Sequence, residues 1–217
     1  MTSFPGSPRL LKGAIVALDL PNPVPTVILF QYNPETLTRR LEARGAGGEA
    51  GDRSETFRIV DPPKETITLS VEIDATDQLE RADPVAARLG VHPALAALEV
   101  LLYPKSRAVV ANRALAQAGN LEIIPVEAPL TLFVWGPQRV LPVRVTGFSV
   151  TEEAHDATLN PTRAKVELSL LVLNYHDLQP THVAHGLFLA HHLAKERLAG
   201  AAVVGGAQAL GLSLNIV

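Results

Sequence analysis

Over residues 65–74 apolar and polar side chains alternate without a break: Ile67, Leu69, Val71 and Ile73 against Thr66, Thr68, Ser70 and Glu72. A period of two puts the first set on one face of a β-strand and the second on the other, one face buried and one wet. The alternation returns in residues 164–173, where Val166, Leu168 and Leu170 oppose Lys165, Glu167 and Ser169. Residues 130–136 and 139–150 read as further strand folded back on 164–173. A polar connection over 151–161 joins them and ends in the breaker Asn160-Pro161. A strand of about ten residues spans roughly 33 Å, so this long hairpin needs a partner sheet, within the subunit or across subunits.

The rest of the chain yields weaker patterns. Residues 11–20 and 26–32 read as strands, with Pro21, Pro23 and Pro25 forcing a turn between them. Residues 35–42 carry only Leu37 and Leu41 as apolar positions, too few for a helical stripe, which favours extended structure. Four glycines make residues 43–56 a flexible loop, of a length that is either functional or disordered. Thr76 is expected to cap a short turn over 77–81, and Asp83-Pro84 to cap and open a short helix to Leu89. His92-Pro93 opens the main helix, with Leu95, Leu98 and Leu102 at helical spacing and Pro104 ending it. Residues 107–118 fit helix or loop, and 121–125 a short edge strand. Helical periodicity returns over 181–197, followed by an uncharged tail, 198–217. The expected class is α+β, mainly antiparallel β, with one central and one C-terminal helix. The expected division is a β domain over 1–178 and a helix with small-residue tail over 179–217.

Composition narrows the function more than the fold. The 217 residues are 47% hydrophobic and 19% charged, as in a folded globular chain. A formal net charge of −3 gives no reason to expect nucleic acid, which would want a basic face. The lack of cysteine excludes disulfide frameworks and zinc–thiolate sites. The N-terminal residues show no charged-then-apolar leader, so cytoplasmic synthesis without export is expected.

Several short motifs arrive in one order: Phe30-Gln31-Tyr32-Asn33-Pro34-Glu35, Pro62-Pro63-Lys64-Glu65-Thr66, and Leu95-Ala96-Ala97-Leu98-Glu99 through Tyr103-Pro104. Phe133-Val134-Trp135-Gly136, Leu141-Pro142-Val143-Arg144-Val145, Thr151-Glu152-Glu153-Ala154 and Leu159-Asn160-Pro161-Thr162-Arg163-Ala164 follow. Across residues 10–178 the chain resembles the tube-type proteins of contractile injection systems, which are phage-tail-like particles. It is most similar to the adaptor subfamily between inner tube and spike. Nothing after Asp177 resembles the LysM module such relatives often carry, so a peptidoglycan-contacting role is not implied. The resemblance implies a β-barrel or sandwich subunit in a hexameric ring, without enzymatic activity or cofactor. Its partners would be further copies and the inner-tube, spike and baseplate proteins of a particle assembled in the cytoplasm, released or acting at a cell envelope. About four strands from each subunit, roughly 24 at about 4.8 Å and tilted about 40°, would close a barrel roughly 48 Å across. Structural or interface roles are then expected for Tyr32, Asn33, Pro34, Ile67, Leu69, Val71, Trp135, Arg144, Glu152, Asn160, Pro161 and Arg163. Loops 44–56 and 152–161 would meet the next ring or the sheath side.

Other chemistry was weighed on residue type. Glu152, Glu153, His155 and Asp156 could move protons if desolvated, but as a polar hairpin connection they read as a solvated turn. His182, His185, His191 and His192, with Glu196, could form a metal-dependent enzyme site or a small binding module. That would need a third ligand and supporting hydrogen bonds, and no His-Glu-x-x-His motif is present. There is no Gly-rich phosphate loop with its lysine, and no Gly-x-Ser-x-Gly elbow. The uncharged tail has the length of a membrane span, yet its glycines and polar residues dilute it, so membrane contact is not expected.

Overall fold

The computed structural model describes residues 11–19, 22–30, 32–45, 59–119 and 128–209, with side chains omitted for 22–24, 45, 60 and 201–209. In chain order the elements are β1 (Ala14–Asp19), β2 (Asn22–Leu29), β3 (Leu37–Gly45), β4 (Ile59–Asp74), α1 (Thr76–Glu80), α2 (Pro84–Leu89), α3 (His92–Glu99), α4 (Ser106–Gln117), β5 (Leu130–Val134), β6 (Val140–His155), β7 (Pro161–Val172) and α5 (Val183–Ala209). The class is α+β. One seven-stranded sheet runs β2-β1-β5-β6-β7-β4-β3, every neighbouring pair antiparallel.

Alternation in β4 and β7 is expressed as read. Ile67, Leu69 and Val71 are buried beside Leu170, Leu168 and Val166, which the ladder places directly opposite. Phe133 and Leu141 on β5 and β6, and Ile15 and Ile28 on β1 and β2, carry the same apolar face across the sheet. Leu95 and Leu98 of α3 and Phe188 of α5 complete this core. Trp135 closes one end, its ring stacked 5.8 Å from Phe133 and tilted 6.5 Å from Phe30.

Four expectations are revised. Pro23 and Pro25 lie inside β2, not in a turn. This is allowed because β2 is an edge strand and needs no donor on its outer side. The hairpin connection is only residues 156–160, since Thr151 to His155 stay in β6 and Pro161 starts β7. Pro161 accepts that place because the first residue of a strand can lack a donor. Thr76 does not cap α1. Asp74 instead accepts bonds from the Thr76 backbone N–H (2.6 Å) and from its hydroxyl. The main helix expected to carry Leu102 and end at Pro104 stops at Glu99, which leaves Leu102 beyond it and exposed. Residues 107–118, left open between helix and loop, lie almost wholly in α4.

Asp83 caps α2 as expected, accepting from the Val85 and Ala86 N–H groups, each at 2.9 Å. The helix expected over 181–197 continues to Ala209. The expected edge strand over 121–125 and most of the Gly-rich loop lie outside the described residues.

Candidate assembly interface

The outer face of the sheet is built by the positions out of phase with the core. Thr38 and Arg40 on β3 pair with Thr68 and Thr66 on β4. Thr68, Ser70 and Glu72 pair with Ser169, Glu167 and Lys165 on β7. Ser169, Glu167 and Lys165 continue to Gly147, Ser149 and Thr151 on β6. Opposite charges face each other at Glu72–Lys165 and Glu42–Lys64, the arrangement that stabilises cross-strand pairs. The polar surface therefore covers four contiguous strands, β3, β4, β7 and β6. A register shift at Thr146, whose hydroxyl donates 3.0 Å to Ser169 O, keeps Phe148 and Val150 pointing to the core beyond it.

Beyond β6 the same face turns apolar. Val27 pairs with Val16, and Val16 with Leu132, while Val27 and Leu29 are 51% and 61% exposed. β2 and β3 each have an unpaired side among the described residues. Among the described residues β6 likewise has no neighbour on its β5 side after Val143. Unpaired edges flanked by exposed apolar side chains are templates for pairing with another chain.

The expected interface residues fall into three groups. Ile67, Leu69 and Val71 are core, and Trp135 is half-buried against it, so these four support the sheet rather than present a surface. Tyr32 is exposed, Pro34 half-buried, and Asn33 ties two segments, its Oδ1 accepting from Gly13 N–H (2.8 Å) and its Nδ2 donating to Leu11 O (2.7 Å). Arg144 lies exposed on the outer face opposite Leu171.

Glu152, Asn160, Pro161 and Arg163 gather at the hairpin tip. Glu152 meets His155 Nε2 at 3.1 Å on the surface. Asp156 accepts from the side chain and backbone of Asn160 and from the hydroxyl and backbone of Thr158, which holds its carboxyl down to about 2. This is a tied turn, not a proton-transfer site. Buried Pro161 docks the helices: its carbonyl accepts from Val91 N–H at 2.8 Å, and Asn160 Nδ2 donates 3.1 Å to Arg88 O. Arg163 Nε donates to Asp74 at 2.8 Å. Burial would raise the Asp74 carboxyl, but the Thr76 bonds and Arg163 outweigh it and the net shift is downward.

The C-terminal histidines do not converge. His182 Nδ1 accepts from Ala184 N–H, His185 and His192 flank the Tyr175 ring, and His192 lies 3.7 Å from Glu196. Among the described residues no group of three or more metal-ligating side chains forms. No helix among them is long and apolar enough to cross a membrane.

One polar cluster has no motif in the sequence. Glu65 is only 3% exposed and takes Arg39 Nε at 2.7 Å and Lys195 Nζ at 3.2 Å. The available signal was a carboxylate in phase with Ile67, Leu69 and Val71. Its partners stand 26 and 130 positions away, out of reach of a local pattern.

No protein-family model matches the chain, and no curated protein matches it. Among solved structures, a chain of one described as "Virion of native gene transfer agent (GTA) particle" is similar at 12% identity. The match covers 74% of this chain and 90% of that one, with a TM-score of 0.30. At that TM-score the likeness carries no functional argument.

Proposed function

We propose that this chain is a non-enzymatic structural subunit of a phage-tail-like contractile injection system, forming a hexameric ring that joins inner tube to spike. The observation that carries the reading is the outer face: across four contiguous strands it is mainly polar, with Leu171 an exception, and the sheet around them has unpaired edges among the described residues. A wall of a shared aqueous bore needs this distribution, since each strand must be dry toward its own core and wet toward the passage. Six copies of four such strands would close a bore of the size estimated for the tube resemblance. Edge pairing between neighbours would cover β2, β3 and the free length of β6, and a stiff annulus of this kind could transmit thrust while cargo passes.

Light scattering after size exclusion, with negative-stain imaging of the same sample and of the chain mixed with purified tube, tests the reading. Rings with a mass near six copies, alone or templated on the tube, are expected. A monomer in both conditions refutes it.

A further inference from the structure

A cleft of about 470 Å³ opens beyond the Thr131–Val143 pair, the last rung that β5 and β6 share. Leu101, Leu130, Val145, Leu173 and Leu178 give it apolar walls, and Lys105, Arg107 and Arg144 line it too. Among the described residues Asp19 is the one carboxylate in the lining, and Lys105 already holds it in an ion pair. The cleft is an apolar hollow under net positive charge.

The far end of the same hairpin carries the converse surface. Leu159 stands in the β6–β7 turn 78% exposed and at φ +66°, in the left-handed region that residues with a Cβ seldom enter. Its N–H donates 3.1 Å to Asp156 O, and the Asp156 carboxylate accepts from the Thr158 and Asn160 N–H groups, so the turn presents Leu159 rigidly. A large apolar side chain held outward in a disfavoured backbone conformation adds nothing to its own core, and such outliers cluster where a function needs them. Residues 151–161 around it hold Glu152, Glu153 and Asp156 and no lysine or arginine. The tip is an apolar knob under negative charge.

We propose that the cleft receives the Leu159 tip of a second copy of this chain. Leu159 enters the apolar hollow while Glu152 and Glu153 approach Arg107 and Arg144, so that burial of the anchor supplies affinity and the charges set orientation. The partner has to be a different molecule. Val143 lies opposite Val172 at one end of the hairpin and His155 opposite Pro161 at the other, roughly 40 Å of strand apart, so no tip reaches its own cleft. Knob and hollow are different surfaces, so the contact is head-to-tail and repeats along the strand direction. It deepens the ring reading by naming a joint between one ring and the next, and rests on that reading for its place in a particle.

The whole chain contains no cysteine, which makes directed disulfide trapping specific. Leu159→Cys is mixed at high concentration, under mild oxidation, with Ala108→Cys, whose position lines the cleft. A docked pair raises the effective thiol concentration, so a disulfide-linked heterodimer should form in yield about tenfold above that with Leu189→Cys, a control 43% exposed on α5 and outside the cleft. Glu152→Lys with Glu153→Lys on the tip should cut the yield about tenfold, and Arg107→Glu with Arg144→Glu in the cleft partner should restore it. All four positions are exposed, so these variants should fold, which their melting temperatures check. The proposal is overturned if trapping at Ala108→Cys does not exceed that at Leu189→Cys, or if it is indifferent to the charge reversals; the cleft then belongs to another segment of this chain or to another protein. Trapping without closed rings upholds the joint and counts against the ring reading, and rings without trapping do the reverse.

Discussion

Replacing Gly90 by alanine should be among the most damaging small changes in this protein. Gly90 joins α2 to α3 at φ +56° and ψ −133°, a conformation that residues with a Cβ rarely adopt. A Cβ there would stand 2.1 Å from the Pro161 carbonyl oxygen and 3.0 Å from its carbon. Those atoms are backbone at the start of β7, and the same oxygen accepts the Val91 N–H. Neither side can move without parting α3 from the hairpin. Sparsely populated backbone costs about 1–3 kcal/mol, and overpacking typically costs about 1–3 kcal/mol more. Gly90→Ala should therefore lose about 2–6 kcal/mol, roughly 4–24 °C in melting temperature for a chain of this size. Gly119→Ala is the control: its φ is +83°, but an added Cβ meets nothing within 4 Å among the described residues, so only the conformational cost of about 1 kcal/mol is expected. Urea unfolding of both variants separates the two contributions. A Gly90→Ala loss no larger than that of Gly119→Ala would refute the claim that Pro161 fixes the helices.

Three further outcomes follow from the same geometry. Glu65→Gln should cost about 1–3 kcal/mol, since the charge is lost and one of the two buried acceptor oxygens becomes an NH2 donor facing a cation, held to that range because Arg39 and Lys195 remain 27% and 36% exposed and water can take their charge. Although desolvation raises the Glu65 carboxyl, the Arg39 bond and the Lys195 and Arg39 charges lower it on balance. Its contribution is then complete above the unfolded value of about 4.3 and fades as pH falls through the lower folded value, so wild type and Glu65→Gln should converge in stability at acid pH. In a carbon-detected NMR titration Asp156 should titrate near its depressed value of about 2, and Asn160→Ala should move that midpoint upward toward an ordinary aspartate; an unmoved midpoint would remove Asn160 as the cause. On the β2 edge, Leu29→Lys should leave the melting temperature within about 1–2 °C, because the side chain is 61% exposed. It should reduce ring formation severalfold by light scattering, and unchanged assembly would take β2 out of the interface.

The strands were legible wherever side chains alternate, because a period of two is local and one buried face suffices to impose it. Residues 65–74 and 164–173 needed no knowledge of their neighbours, and neither did the Asp83-Pro84 start of α2, where cap and first turn are adjacent in the chain. What the sequence left open depends on which strand lies beside which. Proline inside β2 is acceptable only because β2 ended at a sheet edge, and the hairpin reaches His155 only because β7 begins as early as Pro161 to pair with it. The polar face becomes a four-strand surface when β3 and β6 flank β4 and β7, an order no local pattern contains. Glu65, Arg39 and Lys195 meet by the same route. Electrostatic partners are chosen by distance in space, and folding brings together charges that the chain separates by up to 130 positions.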